Sequence, residues 1–207
     1  MDKIIEYLKE KYESTAIIVY GSYADGTNNS NSDFDALVIA KQHEKFHDIS
    51  VVDGIQLDAF IYPENYFQDN VSYADFLQIS DGIVVWDTHE FGKNFKSQIV
   101  EFINSLPRKS DGDIQNDIEW CKKMVLRIKR GDAEGAYRGH WILVDSLEIF
   151  CEVMHHTYKG PKKSLLWMKQ EYPEAFFYYL DALKSFKFET IEKWIQYLEM
   201  AFLGRKQ

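Results

Sequence analysis

Two apolar runs carry aspartates where a buried strand is expected to carry none, and this constrains the fold more than any other feature of the chain. The first is Asp33-Phe34-Asp35 running into Ala36-Leu37-Val38-Ile39-Ala40; the second is Gly54-Ile55-Gln56-Leu57-Asp58-Ala59-Phe60-Ile61-Tyr62. Continuous apolar runs of this length read as buried strands. Aspartate is disfavoured in strands, and burying its charge is costly without a partner. Side chains alternate faces along a strand, so Asp33 and Asp35 point the same way. If the 55–62 run pairs beside them, Asp58 completes a three-carboxylate cluster. Carboxylates gathered at one point repel unless cations lie between them, and hard, oxygen-seeking Mg²⁺ is their natural partner.

Upstream, the apolar run Ala16-Ile17-Ile18-Val19-Tyr20 ends in Gly21-Ser22, and a polar loop over 23–32 leads to Asp33. Glycine lets backbone approach phosphate oxygens, and a helix N-terminus with a serine hydroxyl can bind a phosphate. The ten-residue loop lets the chain return from the Gly-Ser turn to the aspartates. Such a constellation suits a two-metal site, which activates an attacking hydroxyl and neutralises phosphate charge during in-line displacement.

With 207 residues, 45% hydrophobic and 15% aromatic, the chain can bury a real core as one large or two small domains. Cys121 and Cys151 show no metal-ligand spacing, so a reduced cytoplasmic protein is the simplest reading. The N-terminal Met-Asp-Lys-Ile-Ile-Glu-Tyr-Leu-Lys-Glu reads as an amphipathic helix, neither a signal nor a transit peptide. No apolar stretch is long enough to span a membrane. The net charge of −9 is uneven: residues 1–106 hold 7 Lys and Arg against 18 Asp and Glu, and residues 107–207 hold 17 against 15. Phosphate affinity rests on Lys and Arg, so nucleic acid is a poor partner. The acidic half suits metal ions and a cationic acceptor, although solvated surface accounts for most of the count. P-loop, Rossmann, zinc-protease and nucleophile-elbow motifs are absent.

The expected class is α+β: a mixed-sheet domain over 1–106, then an all-α helical bundle over 107–207. The first half reads as a helix at 2–13, a strand at 15–20, a helix start at 22–26, strands at 34–40, 48–53 and 55–62, a short strand at 83–86 and a helix at 89–106. Asp53-Gly54 is a hairpin turn between two of those strands. Leu106-Pro107-Arg108-Lys109-Ser110-Asp111-Gly112 reads as the boundary, and helices are expected at 114–129, 133–158, 162–170, 173–184 and 189–203. Gly131, Gly135 and Gly139 fall four apart, and close helix packing is the favoured reason. His155-His156 is read as a helix end, and His140 and Trp141 as packing between helices.

The segment Val19-Tyr20-Gly21-Ser22-Tyr23-Ala24-Asp25-Gly26, followed by Ser32-Asp33-Phe34-Asp35-Ala36-Leu37-Val38, resembles the signature of the DNA polymerase beta-like nucleotidyltransferase superfamily. That resemblance implies that Asp33 and Asp35 hold two Mg²⁺ ions. Asp58 would share one metal or act as base toward the acceptor hydroxyl, and Gly21 and Ser22 would contact the nucleoside triphosphate. A minimal domain of this type followed by helices is similar to antibiotic nucleotidyltransferases of the streptomycin/spectinomycin and kanamycin groups. Pro161-Lys162-Lys163-Ser164-Leu165-Leu166-Trp167 resembles a segment of the streptomycin group in which a lysine meets the triphosphate, which points to Lys163 or its neighbour Lys162. A helical carboxylate is the base in the kanamycin group, making Glu119 a candidate here, although Glu119 and Lys123 also fit a surface pair. The implied reaction is transfer of a nucleoside monophosphate, AMP from ATP by default, to a hydroxyl of a small molecule, with aminoglycoside-like antibiotics among the acceptors. The alternatives are a protein-modifying enzyme of the antitoxin type and a non-enzymatic nucleotide-binding module. The Arg–His spacing carried by the partner toxins of such antitoxins is absent from this chain.

Overall fold

The computed structural model describes residues 1–41, 44–68 and 71–205. The chain falls into two compact units, Met1–Leu106 and Pro107–Gln207.

The first unit is built on a mixed sheet. In chain order it contains α1 (Asp2–Tyr12), β1 (Ser14–Val19), the single turn α2 (Ser22–Asp25), β2 (Phe34–Ala40), β3 (Phe46–Asp48), β4 (Val51–Val52) and β5 (Ile55–Pro63). Two 3-10 segments, Glu64–Phe67 and Tyr73–Asp81, then lead to β6 (Ile83–Asp87) and α3 (Phe91–Ser105). The order across the sheet is β3-β5-β2-β1-β6, with β4 paired on β5. β2 and β5 run parallel; β1 meets β2 and β6, and β3 meets β5, in antiparallel fashion.

Both faces of the sheet are covered, which is why β1 and β2 read as continuous apolar runs instead of alternating ones. Phe34, Ala36 and Val38 of β2 and Leu57, Ala59 and Ile61 of β5 pack with Ile4, Leu8 and Tyr12 of α1. The other face presents Ile18, Tyr20, Leu37, Ile39 and Tyr62 to Phe76 and Ile79 of the second 3-10 segment and to Phe95 and Ile99 of α3. Asp33, Asp35 and Asp58 have the parity of this second face.

The expected Asp-Gly turn is present. Val52 pairs with Ile55, and Asp53 and Gly54 both take positive φ, 54° and 79°, as a two-residue type I′ hairpin requires. The strand expected at 48–53 is broken in two. Asp48 Oδ1 accepts from the Ser50 amide at 2.9 Å and the Ser50 hydroxyl at 2.5 Å, and this local turn diverts the chain between β3 and β4. The 3-10 segments lie where no regular element is expected from the sequence.

The second unit is helical: α4 (Asp111–Ile128), α5 (Ala133–Val153), α6 (Gly160–Glu171), α7 (Pro173–Ser185) and α8 (Phe188–Arg205). Ser110 and Asp132 cap α4 and α5, each accepting from a backbone amide three residues on. Trp194, Phe150, Ile142 and Phe202 fill the core. Two polar groups within it are paired: Trp194 Nε1 donates to Ser146 Oγ at 2.8 Å, and the Tyr179 hydroxyl donates to the Leu143 carbonyl at 2.5 Å. Gly135 and Gly139 serve packing. A Cβ on Gly135 would lie 2.8 Å from the Arg127 carbonyl, and one on Gly139 would lie 3.0 Å from the Phe186 ring. His140 stacks on Phe186 at 4.0 Å but sits on the exposed side of α5, and Trp141, edge-on to Trp120, stays 42% exposed.

α5 ends at Val153, short of the expected 158. His155 takes φ 54°. Its amide donates to the Glu152 carbonyl at 3.0 Å, and the His156 amide donates to the Cys151 carbonyl at 2.8 Å. These are the two bonds of a Schellman motif, with histidine where glycine is usual. Cys121 and Cys151 are free, buried thiols, pushed up to about 12 and about 11 by burial. No helix among the described residues is long and apolar enough to cross a membrane. The architecture is α+β, a mixed-sheet unit followed by a helical one.

Candidate active site

The parallel register of β2 and β5 sets Asp35 directly beside Asp58. Asp33 lies two residues before Asp35 and shares its face. One carboxylate oxygen from each of Asp33, Asp35 and Asp58 lies within 4.8 Å of the other two. Asp33 is exposed and the other two are half-buried. Two oxygens on opposite sides of one Mg²⁺, each at about 2.1 Å, are about 4.2 Å apart. A cluster of this width therefore closes on an ion with small side-chain rotations, or spans two ions. Oxygen-only donors suit Mg²⁺ over softer metals.

Gly21 is packed against this cluster. Its backbone takes φ 65° and ψ −148°, close to a region essentially reserved for glycine. A Cβ here would run into Asp35 Oδ2 and lie 2.9 Å from Asp35 Cγ. The Tyr20 amide donates to the Asp35 carbonyl at 3.1 Å, tying the turn to β2. Ser22 opens α2, and the Ala24 and Asp25 amides both return to the Gly21 carbonyl at 3.2 Å. The loop that follows holds itself together. The Thr27 amide donates to Asp25 Oδ1 at 3.0 Å, the Asn31 amide to Asn29 Oδ1 at 2.9 Å, and the Asn29 amide to Ser32 Oγ at 3.0 Å. Such side-chain turns are the usual work of Asp, Asn and Ser. They return the chain to Asp33.

Two further side chains border the acids. Tyr20 is buried and packs on the second 3-10 segment with Phe76 and Ile79. Burial raises its pKa first, and the charges of Asp58 and Asp35 raise it further, so the phenol stays protonated. His47 of β3 sits beside Asp58, with Nε2 2.5 Å from Asp58 Oδ1. Its ring lies flat on Phe60, with centroids 4.2 Å apart and planes 3° apart. Neither residue is anticipated from the sequence. Tyr20 carries the signal of standing next to Gly21; His47 carries one only when β3 is aligned on β5.

Lys163 lies in the first turn of α6 in the helical unit, partly buried, and Lys162 beside it is exposed. Glu119 on α4 accepts from Lys122 at 2.9 Å, and Lys122 also reaches Glu199 at 2.9 Å. The surface pair of Glu119 is therefore made with the residue three along, not with Lys123. The structure thus brings Gly21, Ser22, Asp33, Asp35 and Asp58 together in the first unit, while Lys163 and Glu119 belong to the second.

The nucleotidyltransferase domain family model matches residues 1–111. Among solved structures, the chain is similar to a nucleotidyltransferase-like protein from Exiguobacterium sibiricum 255-15, at 12% identity over 99% of this chain and 74% of that one, with a TM-score of 0.43. It is also similar to a toxin–antitoxin crystal structure with AMP-PNP, at 21% identity over 57% of this chain and 94% of that one, with a TM-score of 0.33. No curated protein matches the chain.

Proposed function

The chain belongs to the nucleotidyltransferase domain family, and from that premise we propose that it transfers a nucleoside monophosphate, AMP from ATP by default, to a hydroxyl of a small molecule. The observation that carries this reading is the convergence of Asp33, Asp35 and Asp58 within 4.8 Å on one sheet face. In the reaction, the acceptor oxygen forms a bond to the α-phosphorus, the bond to the β-phosphate bridge oxygen breaks, and pyrophosphate leaves. Asp33, Asp35 and Asp58 would hold two Mg²⁺ ions. Bound there, Mg²⁺ would supply neutralisation of the triphosphate charge and acidify the attacking hydroxyl.

The remaining work falls to the chain. The open backbone at Gly21 and the Ser22 hydroxyl would meet the triphosphate, and Lys163 would add a cation to it. Asp58, if it does not bridge a metal, takes the acceptor proton; Glu119 is the rival for that role. Residues 1–106 form the nucleotidyltransferase domain and 107–207 the helical domain. The acidic balance of the first domain favours a cationic acceptor of the aminoglycoside type over nucleic acid. Two buried, unpaired thiols fit a cytoplasmic setting.

The test is calorimetric binding of ATP, GTP, CTP and UTP, with and without Mg²⁺, to the wild type and to Asp35→Asn, followed by a mass-spectrometric acceptor screen. Mg²⁺-dependent binding of one triphosphate, and adducts of one nucleoside monophosphate that disappear in Asp35→Asn, are expected. Unchanged product formation by a folded Asp35→Asn protein rejects the assignment. Triphosphate binding without any transfer turns the reading into that of a nucleotide-binding module.

A further inference from the structure

The proposed metal site leaves open what holds Asp58 in place. β3 is an edge strand of the sheet's main path and lies antiparallel on β5, with His47 opposite Phe60 and Asp48 opposite Ala59. Asp58 stands two residues from Phe60 on the same face, which makes it the diagonal neighbour of His47, within reach of a long or aromatic side chain. The imidazole stacks on Phe60 at 4.2 Å, and this fixes the ring plane. Its Nε2 then falls 2.5 Å from Asp58 Oδ1.

The backbone beneath is fixed as well. The next residue, Asp48, points to the opposite face and is buried. It accepts from Tyr12 Oη at 2.6 Å, Lys11 Nζ at 3.2 Å and the Ser50 amide at 2.9 Å. An ionised carboxylate only accepts, so the Nε2–H of His47 must be the donor.

We propose that His47 is a positioning residue, donating from Nε2 to Asp58 Oδ1 and so fixing the Asp58 carboxylate beside Asp33 and Asp35. The proposal rests on the reading of those three aspartates as a divalent-cation site. Outer groups that hold a ligand in this manner are worth roughly 10- to 100-fold in metal affinity.

The test is binding of Mn²⁺ alone to the full chain, followed by electron paramagnetic resonance, with the melting transition of each variant recorded alongside. The wild type should bind Mn²⁺, and Asp35→Asn should lose it. If the two bind alike, the cation site itself is wrong. His47→Phe keeps a ring on Phe60 but has no donor, and should weaken Mn²⁺ binding about 10-fold or more. His47→Gln retains an N–H donor and should recover most of that loss. In an Asp58→Ala background, which removes the acceptor, His47→Phe should cost nothing further. Wild-type affinity in His47→Phe overturns the positioning role while leaving the cation site intact. So does an equal loss in His47→Phe and His47→Gln, or an additional loss in the Asp58→Ala background.

Discussion

At the scale of single residues, the closest constraint in the site is between Gly21 and Asp35, fourteen positions apart in sequence and in contact in space. Gly21 combines φ 65° with ψ −148°, and the space its Cβ would fill is taken by the Asp35 carboxylate. Gly21→Ala therefore suffers twice, through backbone strain of order 1–3 kcal/mol and through displacement of an aspartate. Expected are a lower melting temperature and loss of Mn²⁺ binding together. A variant with wild-type Mn²⁺ affinity would show that Asp35 yields without consequence. The Gly-Ser pair and the three acids were legible because each breaks a local rule: a turn glycine ends an apolar run, and charges sit inside strands. His47 breaks no rule. A histidine in a polar stretch looks like any surface histidine until the pairing of β3 on β5 is known, and that pairing is tertiary information.

At the scale of elements, β3 depends on one buried acid. The Asp48 side chain is 3% exposed. Burial by itself would raise its pKa, but the hydrogen bonds from Ser50, Tyr12 and Lys11 outweigh burial and pull it from an ordinary 3.8 down to about 2. Between pH 4 and pH 2 the unfolded chain therefore binds the proton that the native one refuses, and stability rises with pH. The contribution, on the order of 2 kcal/mol, is fully present above pH 4 and fades as pH falls toward 2. Denaturant melts across that range should show the slope in the wild type and lose most of it in Asp48→Asn, whose amide does not titrate there. An unchanged slope would assign the acid sensitivity to other carboxylates. The same residue explains why the strand expected at 48–53 is two short pieces. The apolar pattern marks extended chain, but only the bonds from Ser50 to Asp48 reveal the break. α5 ends before its expected place for a related reason. Its polar and aromatic residues past Val153 suit a helix, and histidine is an unusual residue for the left-handed position that ends it. Histidine pays steric strain there that glycine avoids, so His155→Gly should stabilise the helical unit by about 1 kcal/mol. A fall in its melting temperature would mean that the His155 side chain makes a compensating contact.

At the scale of the whole molecule, the two compact units have separate cores: the faces of the sheet in residues 1–106, and the interior of the helical array after Pro107. A domain of about a hundred residues can fold on its own, and every aspartate of the candidate cation site lies in the first unit. The 1–106 fragment should accordingly melt cooperatively and bind Mn²⁺ as the full chain does. Triphosphate binding should divide differently, because Lys163 lies in the second unit. If its ammonium meets a phosphate, it contributes a charge-assisted bond worth about 1.5–3 kcal/mol, or roughly 10- to 100-fold in affinity. The fragment should then bind Mg²⁺-triphosphate at least that much more weakly than the full chain. Lys163→Ala in the full chain should reproduce the deficit in triphosphate binding while leaving Mn²⁺ binding untouched. The two measurements separate the causes. A weak fragment with a wild-type Lys163→Ala variant would mean that the helical unit contributes through other groups, with Lys162 the first to substitute. A fragment that binds triphosphate as tightly as the full chain would remove the helical unit from donor recognition and leave it the acceptor.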